Sequence, residues 1–186
     1  MIRKGRSKMS EAESLPVQLR RLDPPAMISL RAKPGTPGLA EAILAASGCA
    51  LPAARSLTRS GEALCGWMSA DEYLLVLPAA AGAAALQALQ QGLQGQHYLA
   101  VDVSDARVCF ALEGAGAGDV LRRLTPADLS ALGPDELRRS RLSQVAAAFW
   151  QTGGGSYRLV AFRSVGDYVE ALLSGAVTSA RASGAL

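Results

Sequence analysis

An order of elements that occurs twice constrains this chain more than any single motif in it. The two occurrences meet at Asp102–Gly114, DVSDARVCFALEG. An apolar run, Tyr98 to Val103, ends there, and the polar residues Ser104 and Asp105 follow. Beyond them Val108, Phe110 and Leu112 alternate with Arg107, Cys109 and Ala111. Period-two alternation sends one set of side chains to a buried face and the other to the opposite face. One strand ends, the chain breaks at a polar junction, and another strand begins.

Ahead of the junction, Val17–Leu22 reads as an edge strand closed by Pro24 and Pro25, and Ala26–Ala32 as a half-buried strand. Leu39, Ile43 and Ala46 then fall at helical spacing, with Gly48 as the stop. Residues 50–60 read as a loop. Glu62–Met68 and Glu72–Leu77 form a hairpin around Ser69-Ala70-Asp71, and Leu86, Leu89 and Leu93 mark a second helix before Tyr98–Val103. This order, strand-helix-strand-strand-helix-strand, is the ferredoxin-like pattern. After the junction come a strand (Arg107–Glu113), a helix (Ala117–Leu124) and a loop over 126–139 with a helical turn near Pro134–Leu137. The strands Leu142–Trp150 and Ser156–Phe162 follow, joined by a Gly-rich turn. The last helix carries Val165, Tyr168, Val169, Leu172 and Leu173 on one face, opened by the Ser164/Asp167 capping pair. The expected fold is α+β: two ferredoxin-like βαββα lobes over 15–103 and 104–176, with flexible tails at 1–14 and 177–186.

Composition narrows the function classes. Hydrophobic residues make up 49% and charged residues 19%, a globular balance. The net charge of +3 owes much to Arg3, Lys4, Arg6 and Lys8, so no basic stripe marks a folded face for nucleic acid. No unbroken run of about 18 apolar residues predicts a membrane span. The basic N-terminus lacks the apolar stretch of a secretory signal. Cys49, Cys65 and Cys109 are odd in number and contain no CxxC pair, which suits small core residues in a reducing compartment. A cytoplasmic location is expected.

No residue set forms a convincing catalytic constellation. His97 is the one histidine, and no GxSxG elbow accompanies it; it reads as a surface side chain. Gly114-Ala-Gly116-Ala-Gly118-Asp119 lies between a strand and a helix, the context of a phosphate cradle. Asp119, however, stands where the third glycine of GxGxxG belongs. Gly153-Gly154-Gly155 suits a hairpin loop. Asp71 with Glu72, and Asp135 with Glu136, are neighbours whose side chains diverge on a strand. Three scattered cysteines and one histidine offer no metal set. Catalytic, cofactor-binding and metal-binding residues are therefore all expected to be none. Trp67 and Trp150 are either core or buried anchors of an interface. Arg138, Arg139 and Arg141 read as a solvated loop face able to meet an acidic partner. Leu74–Leu77 and Val145–Phe149 are apolar on both faces, which predicts cover from something besides this chain itself, with a subunit interface as the natural cover.

Four stretches carry a resemblance: GWMSADEYLLVLP (66–78), DVSDARVCFALEG (102–114), RRSRLSQVAAAFW (138–150) and FRSVGDYVEALL (162–173). In order and spacing, from about Val17 to Ala176, they resemble the gamma subunit of heterotetrameric sarcosine oxidase. Tyr73 stands where that family commonly has tryptophan. The resemblance implies a fold related to the folate-binding domain of the glycine-cleavage T-protein and the TrmE N-terminal domain. It implies an accessory chain without its own cofactor in a complex that oxidatively demethylates sarcosine. FAD, FMN, NAD, tetrahydrofolate and zinc would belong to the alpha, beta and delta partners, with alpha as the direct contact. Two alternatives stay open: a stand-alone folate-binding one-carbon protein of the same fold, for which Asp102 and Asp105 are candidates by position, and the gamma chain of another amine-oxidising complex. The KGCYxGQE-type motif of related iron–sulfur maintenance proteins is absent.

Overall fold

The computed structural model describes residues 17–182. Two five-stranded sheets are built entirely from antiparallel pairs. The first lies in the order β3 (Leu57–Ser60), β4 (Ala63–Ser69), β5 (Glu72–Leu77), β2 (Ala26–Ala32), β6 (Tyr98–Asp102). The helices α1 (Leu39–Ser47) and α2 (Gly82–Gly92) belong to its half of the chain. The second sheet runs β1 (Gln18–Leu22), β7 (Arg107–Glu113), β10 (Ser156–Phe162), β9 (Val145–Gly153), β8 (Leu137–Leu142), and its helices are α3 (Ala117–Arg122) and α4 (Gly166–Ala182). Gly48, at φ 71°, caps α1 by donating to the Leu44 carbonyl, as its position at the end of the apolar stripe predicts.

The two sheets correspond strand for strand. β6-β2-β5-β4-β3 in the first matches β1-β7-β10-β9-β8 in the second. Among the described residues no strand follows α4, and β1 fills that place, pairing with β7 along Gln18↔Glu113 to Leu22↔Cys109. Arg21 reaches Asp167 and Glu170 on α4, at 2.9 and 3.1 Å, and Arg181 Nη2 donates to the Val17 carbonyl at 2.7 Å. β1 therefore departs from the division that put residues 15–22 in the first lobe. An edge strand shows only which of its faces is apolar, not which sheet it joins.

Each sheet has an apolar layer on both faces. In β5, Tyr73, Leu75 and Leu77 pack with residues of α1 and α2, while Leu74 and Val76 face the other way into a layer shared with the second sheet. In β9, Ala147 and Phe149 pack with α3 and α4, while Ala148 and Trp150 enter the same shared layer. The chain is thus four layers deep: helices, sheet, sheet, helices. The cover expected from a partner over Leu74–Leu77 and Val145–Phe149 is supplied by the other half of the same chain. The sheets approach so closely at β4 and β8 that a Cβ on Gly66 would lie 2.3 Å from Leu137 Cδ1.

Three further expectations are corrected. The loop at 50–60 contains β3, which continues the sheet with Leu57 buried and Arg59 and Ser60 exposed. Residues 137–142 are a strand, not a loop or helical turn. β8 buries Leu137 and Leu142 at its ends and carries arginines between them, a charge pattern suited to an edge strand. The neighbouring strand starts at Val145, after a turn with Ser143 at φ 51°. Finally, α4 runs through Ala182 and buries Val177 and Ala180, so 177–182 is packed helix rather than a tail. The tail at 1–14 and residues 183–186 lie outside the described residues.

Candidate functional site

Most of the polar groups singled out by the sequence are placed against partners within the chain. Asp102 accepts the Ser104 N–H at 2.9 Å and the Ser104 hydroxyl at 2.5 Å, and those bonds hold its carboxyl below the usual range. Ser104 Oγ accepts the Met27 N–H at 2.9 Å, and Val103 N–H donates to the Met27 carbonyl. The junction is a clasp that ties the crossover between sheets to the start of β2. Asp105 is exposed, and its backbone carbonyl accepts from Arg163.

The two adjacent acidic pairs do not converge. Asp71 pairs with Arg31 at 2.9 Å, Glu72 with Arg139 at 3.2 Å and Asp135 with Arg59 at 2.5 Å. Glu136 takes Arg138 at 2.5 Å and Arg55 at 3.0 Å. Burial alone would push the Glu136 carboxyl up, but the hydrogen bonds from Arg138 and Arg55 leave it net lowered. Three of these links cross between the lobes: Arg55–Glu136, Arg59–Asp135 and Glu72–Arg139. The Leu57 N–H donating to the Asp135 carbonyl at 2.9 Å adds a fourth. Arg138 and Arg139 are thus engaged inside the chain, while Arg141 is exposed. Arg55 and Arg59 drew no attention in the sequence, because their partners lie dozens of residues away.

Trp150 is 3% exposed, within the layer between the sheets, which makes it core rather than a surface anchor. Trp67 is half-buried against the α1/α2 side of its sheet. The turn at 114–118 is closely approached by the hairpin: a Cβ on Gly155 would lie 3.2 Å from Ala115 Cα and 3.3 Å from the Gly114 carbonyl oxygen. The hairpin turn thereby presses on the strand-to-helix turn, and Asp119 pairs with Arg122. His97 is exposed beside a surface hollow of about 220 Å³ with Arg31, Lys33 and Asp71, where no serine or cysteine joins it. The three cysteines are free and buried; desolvation pushes the Cys109 thiol up to about 11, far from a reactive thiolate. No group of three or more His, Cys, Asp or Glu among the described residues is arranged to hold a metal.

The layer between the sheets opens at two places. One is a cavity of about 320 Å³ lined by Leu22, Leu64, Val76, Cys109 and Trp150, with Arg59 and Arg158 at its edge. Both arginines are already ion-paired, with Asp135 and Glu113. The other is a small cleft of about 30 Å³ with Glu72, Arg107, Arg139 and Phe162. There the Arg107 guanidinium lies 4.2 Å over the Phe162 ring, and its Nε is buried without a hydrogen-bond partner.

Two α+β halves with antiparallel sheets packed face to face define the class. The glycine cleavage system aminomethyltransferase T from Bartonella henselae has this fold: its structure aligns with a TM-score of 0.65 at 15% identity, over 89% of this chain and 47% of that one. The profile of the sarcosine oxidase, gamma subunit family matches residues 31–179, and the chain belongs to that family. It is 36% identical over 149 residues to the sarcosine oxidase subunit gamma of Corynebacterium sp. (strain U-96), covering 77% of this chain and 71% of the relative. It is 32% identical over 146 residues to that of an Arthrobacter species, covering 76% and 70%. A structure of heterotetrameric sarcosine oxidase from Corynebacterium sp. U-96 in complex with pyrrole 2-carboxylate contains a chain that aligns with a TM-score of 0.80. That alignment has 30% identity and covers 88% of this chain and 84% of that one. No helix among the described residues is long and apolar enough to cross a membrane.

Proposed function

We propose that this chain is the non-catalytic accessory gamma subunit of a heterotetrameric sarcosine oxidase, a complex that oxidatively demethylates sarcosine. FAD, FMN, NAD, tetrahydrofolate and zinc are carried by the alpha, beta and delta subunits, alpha is the direct contact, and the complex works in the cytoplasm. The observation that carries this reading is the use made of the chain's ionisable side chains. Its acidic pairs and most of its arginines are engaged as ties within and between the lobes. His97 faces solvent without a nucleophile, and burial raises the Cys65 and Cys109 thiols and holds them protonated. An independent reaction would need a nucleophile and base within hydrogen-bond reach of one substrate position.

Co-expression with alpha, beta and delta subunits, followed by pull-down and an oxidase assay, tests the proposal. The expected result is a stable complex carrying all the activity, and a lone chain that neither oxidises sarcosine nor shows a flavin absorption band. Turnover by the lone chain would overturn it. A second reading, a stand-alone folate-binding one-carbon protein, draws on the aminomethyltransferase-like fold and the 320 Å³ cavity with Trp150 and two arginines. Titration of the isolated chain with tetrahydrofolate, followed by Trp fluorescence, separates the two; saturable micromolar quenching favours the second.

A further inference from the structure

Five large apolar side chains are well exposed among the described residues: Leu44, Leu99, Val101, Phe162 and Tyr168. Leu99 and Val101 sit on β6, where Tyr98 and Ala100 pack toward the α1/α2 side, so they face the same way as the layer between the sheets. Phe162 follows Val160 onto the corresponding face of β10. At Leu99, Val101 and Phe162 that shared layer runs out uncovered. Leu99 lies opposite Arg31, and Arg31 opposite Glu72, which puts Leu99 about 10 Å across the sheet from the cleft holding Arg107 and Phe162.

The charge in that cleft does not balance. Glu72 pairs with Arg139 at 3.2 Å and accepts the Ser29 hydroxyl at 3.4 Å. Arg107 is left with an aromatic ring, a buried Nε without a partner, and no ion pair with a described carboxylate. Two guanidinium groups and one carboxylate leave a net charge of +1. A partly desolvated, unpaired cation beside exposed apolar surface is unfavourable in an isolated chain and favourable in an interface that brings an anion.

We propose that this end of the seam, made by Leu99, Val101, Arg107 and Phe162, is the face on which a partner subunit docks, through an apolar segment bearing a carboxylate that Arg107 receives. The inference rests on the reading of this chain as a subunit and adds where the contact is made and with what chemistry.

The test uses the full chain co-expressed with the other subunits, and compares wild type with Arg107→Met, with Leu99→Ser/Val101→Ser, and with Tyr168→Ser on α4 as a control. Arg107→Met and the double variant are each expected to weaken subunit association roughly tenfold or more, and Tyr168→Ser to leave it unchanged. The isolated Arg107→Met chain is expected to melt no lower than wild type, because methionine removes an unpaired charge. Wild-type association by both seam variants would overturn the proposal and leave Arg107 solvated by a water in the 30 Å³ cleft. A fall in melting temperature that tracks the loss of association would also overturn it, since Arg107 would then be structural. Failure of the wild-type chain itself to associate would instead remove the subunit reading, and the docking face with it.

Discussion

Ser104 holds the crossover between the sheets with one hydroxyl, accepting from Met27 N–H and donating to Asp102. Met27 is fully buried, so removing that oxygen leaves its N–H unsatisfied. Ser104→Ala is expected to cost about 1–3 kcal/mol, measured by urea denaturation, while Ser104→Thr should retain most of it. The carboxylates give a second prediction. Asp71, Asp102, Glu113 and Glu136 are all held below their ordinary range. As pH falls through that range, near pH 4, the unfolded chain takes up protons that the folded chain still refuses, so acid favours unfolding. Stability is expected to be level above about pH 5 and to fall progressively below it, as followed by circular dichroism. A chain equally stable at pH 3 and pH 7 would show that these pairs contribute nothing. The residues themselves were visible in the sequence; their partners were not, because an ion pair such as Arg59–Asp135 has no local signature.

Among the elements, α4 was legible from its apolar stripe, whereas its length was not, since Gly175 and the small residues after it weaken the pattern. Its last turns bury Val177 and Ala180 and bring Arg181 to the start of β1. Ending the chain after Ala176 is expected to cost about 2–4 kcal/mol and to raise amide exchange in β1, as hydrogen-exchange mass spectrometry would show. Unchanged stability would mean that these turns are dispensable. β8 was not legible because LRRSRL sets three arginines and a serine between its end leucines instead of alternating apolar and polar residues, and the arginines that suggested a loop are what an edge strand can carry. Arg138 and Arg139 pair with Glu136 and Glu72, so the docking role assigned to that cluster passes, in the present proposal, to Arg107.

In the whole molecule, the shared layer between the sheets makes the halves one cooperative unit. Trp150→Ala opens a void in that layer and is expected to destabilise by about 3–5 kcal/mol. Wild-type unfolding should give coincident transitions by Trp fluorescence and far-ultraviolet circular dichroism; two separated transitions would show the lobes to be independent. The sequence alone determined the local facts: which segments alternate, where most of the helices lie, and that one order of elements occurs twice. These follow from periodicity and capping, which act over a few residues. Family membership was legible too, through motifs kept in order along the chain. Only the tertiary structure decided that β1 completes the second sheet, that each sheet covers the other's apolar face, and that Arg107 has no ion pair among the described residues. Those outcomes depend on contacts between residues tens of positions apart, and an apolar face shows in the sequence that it needs cover without showing what supplies it.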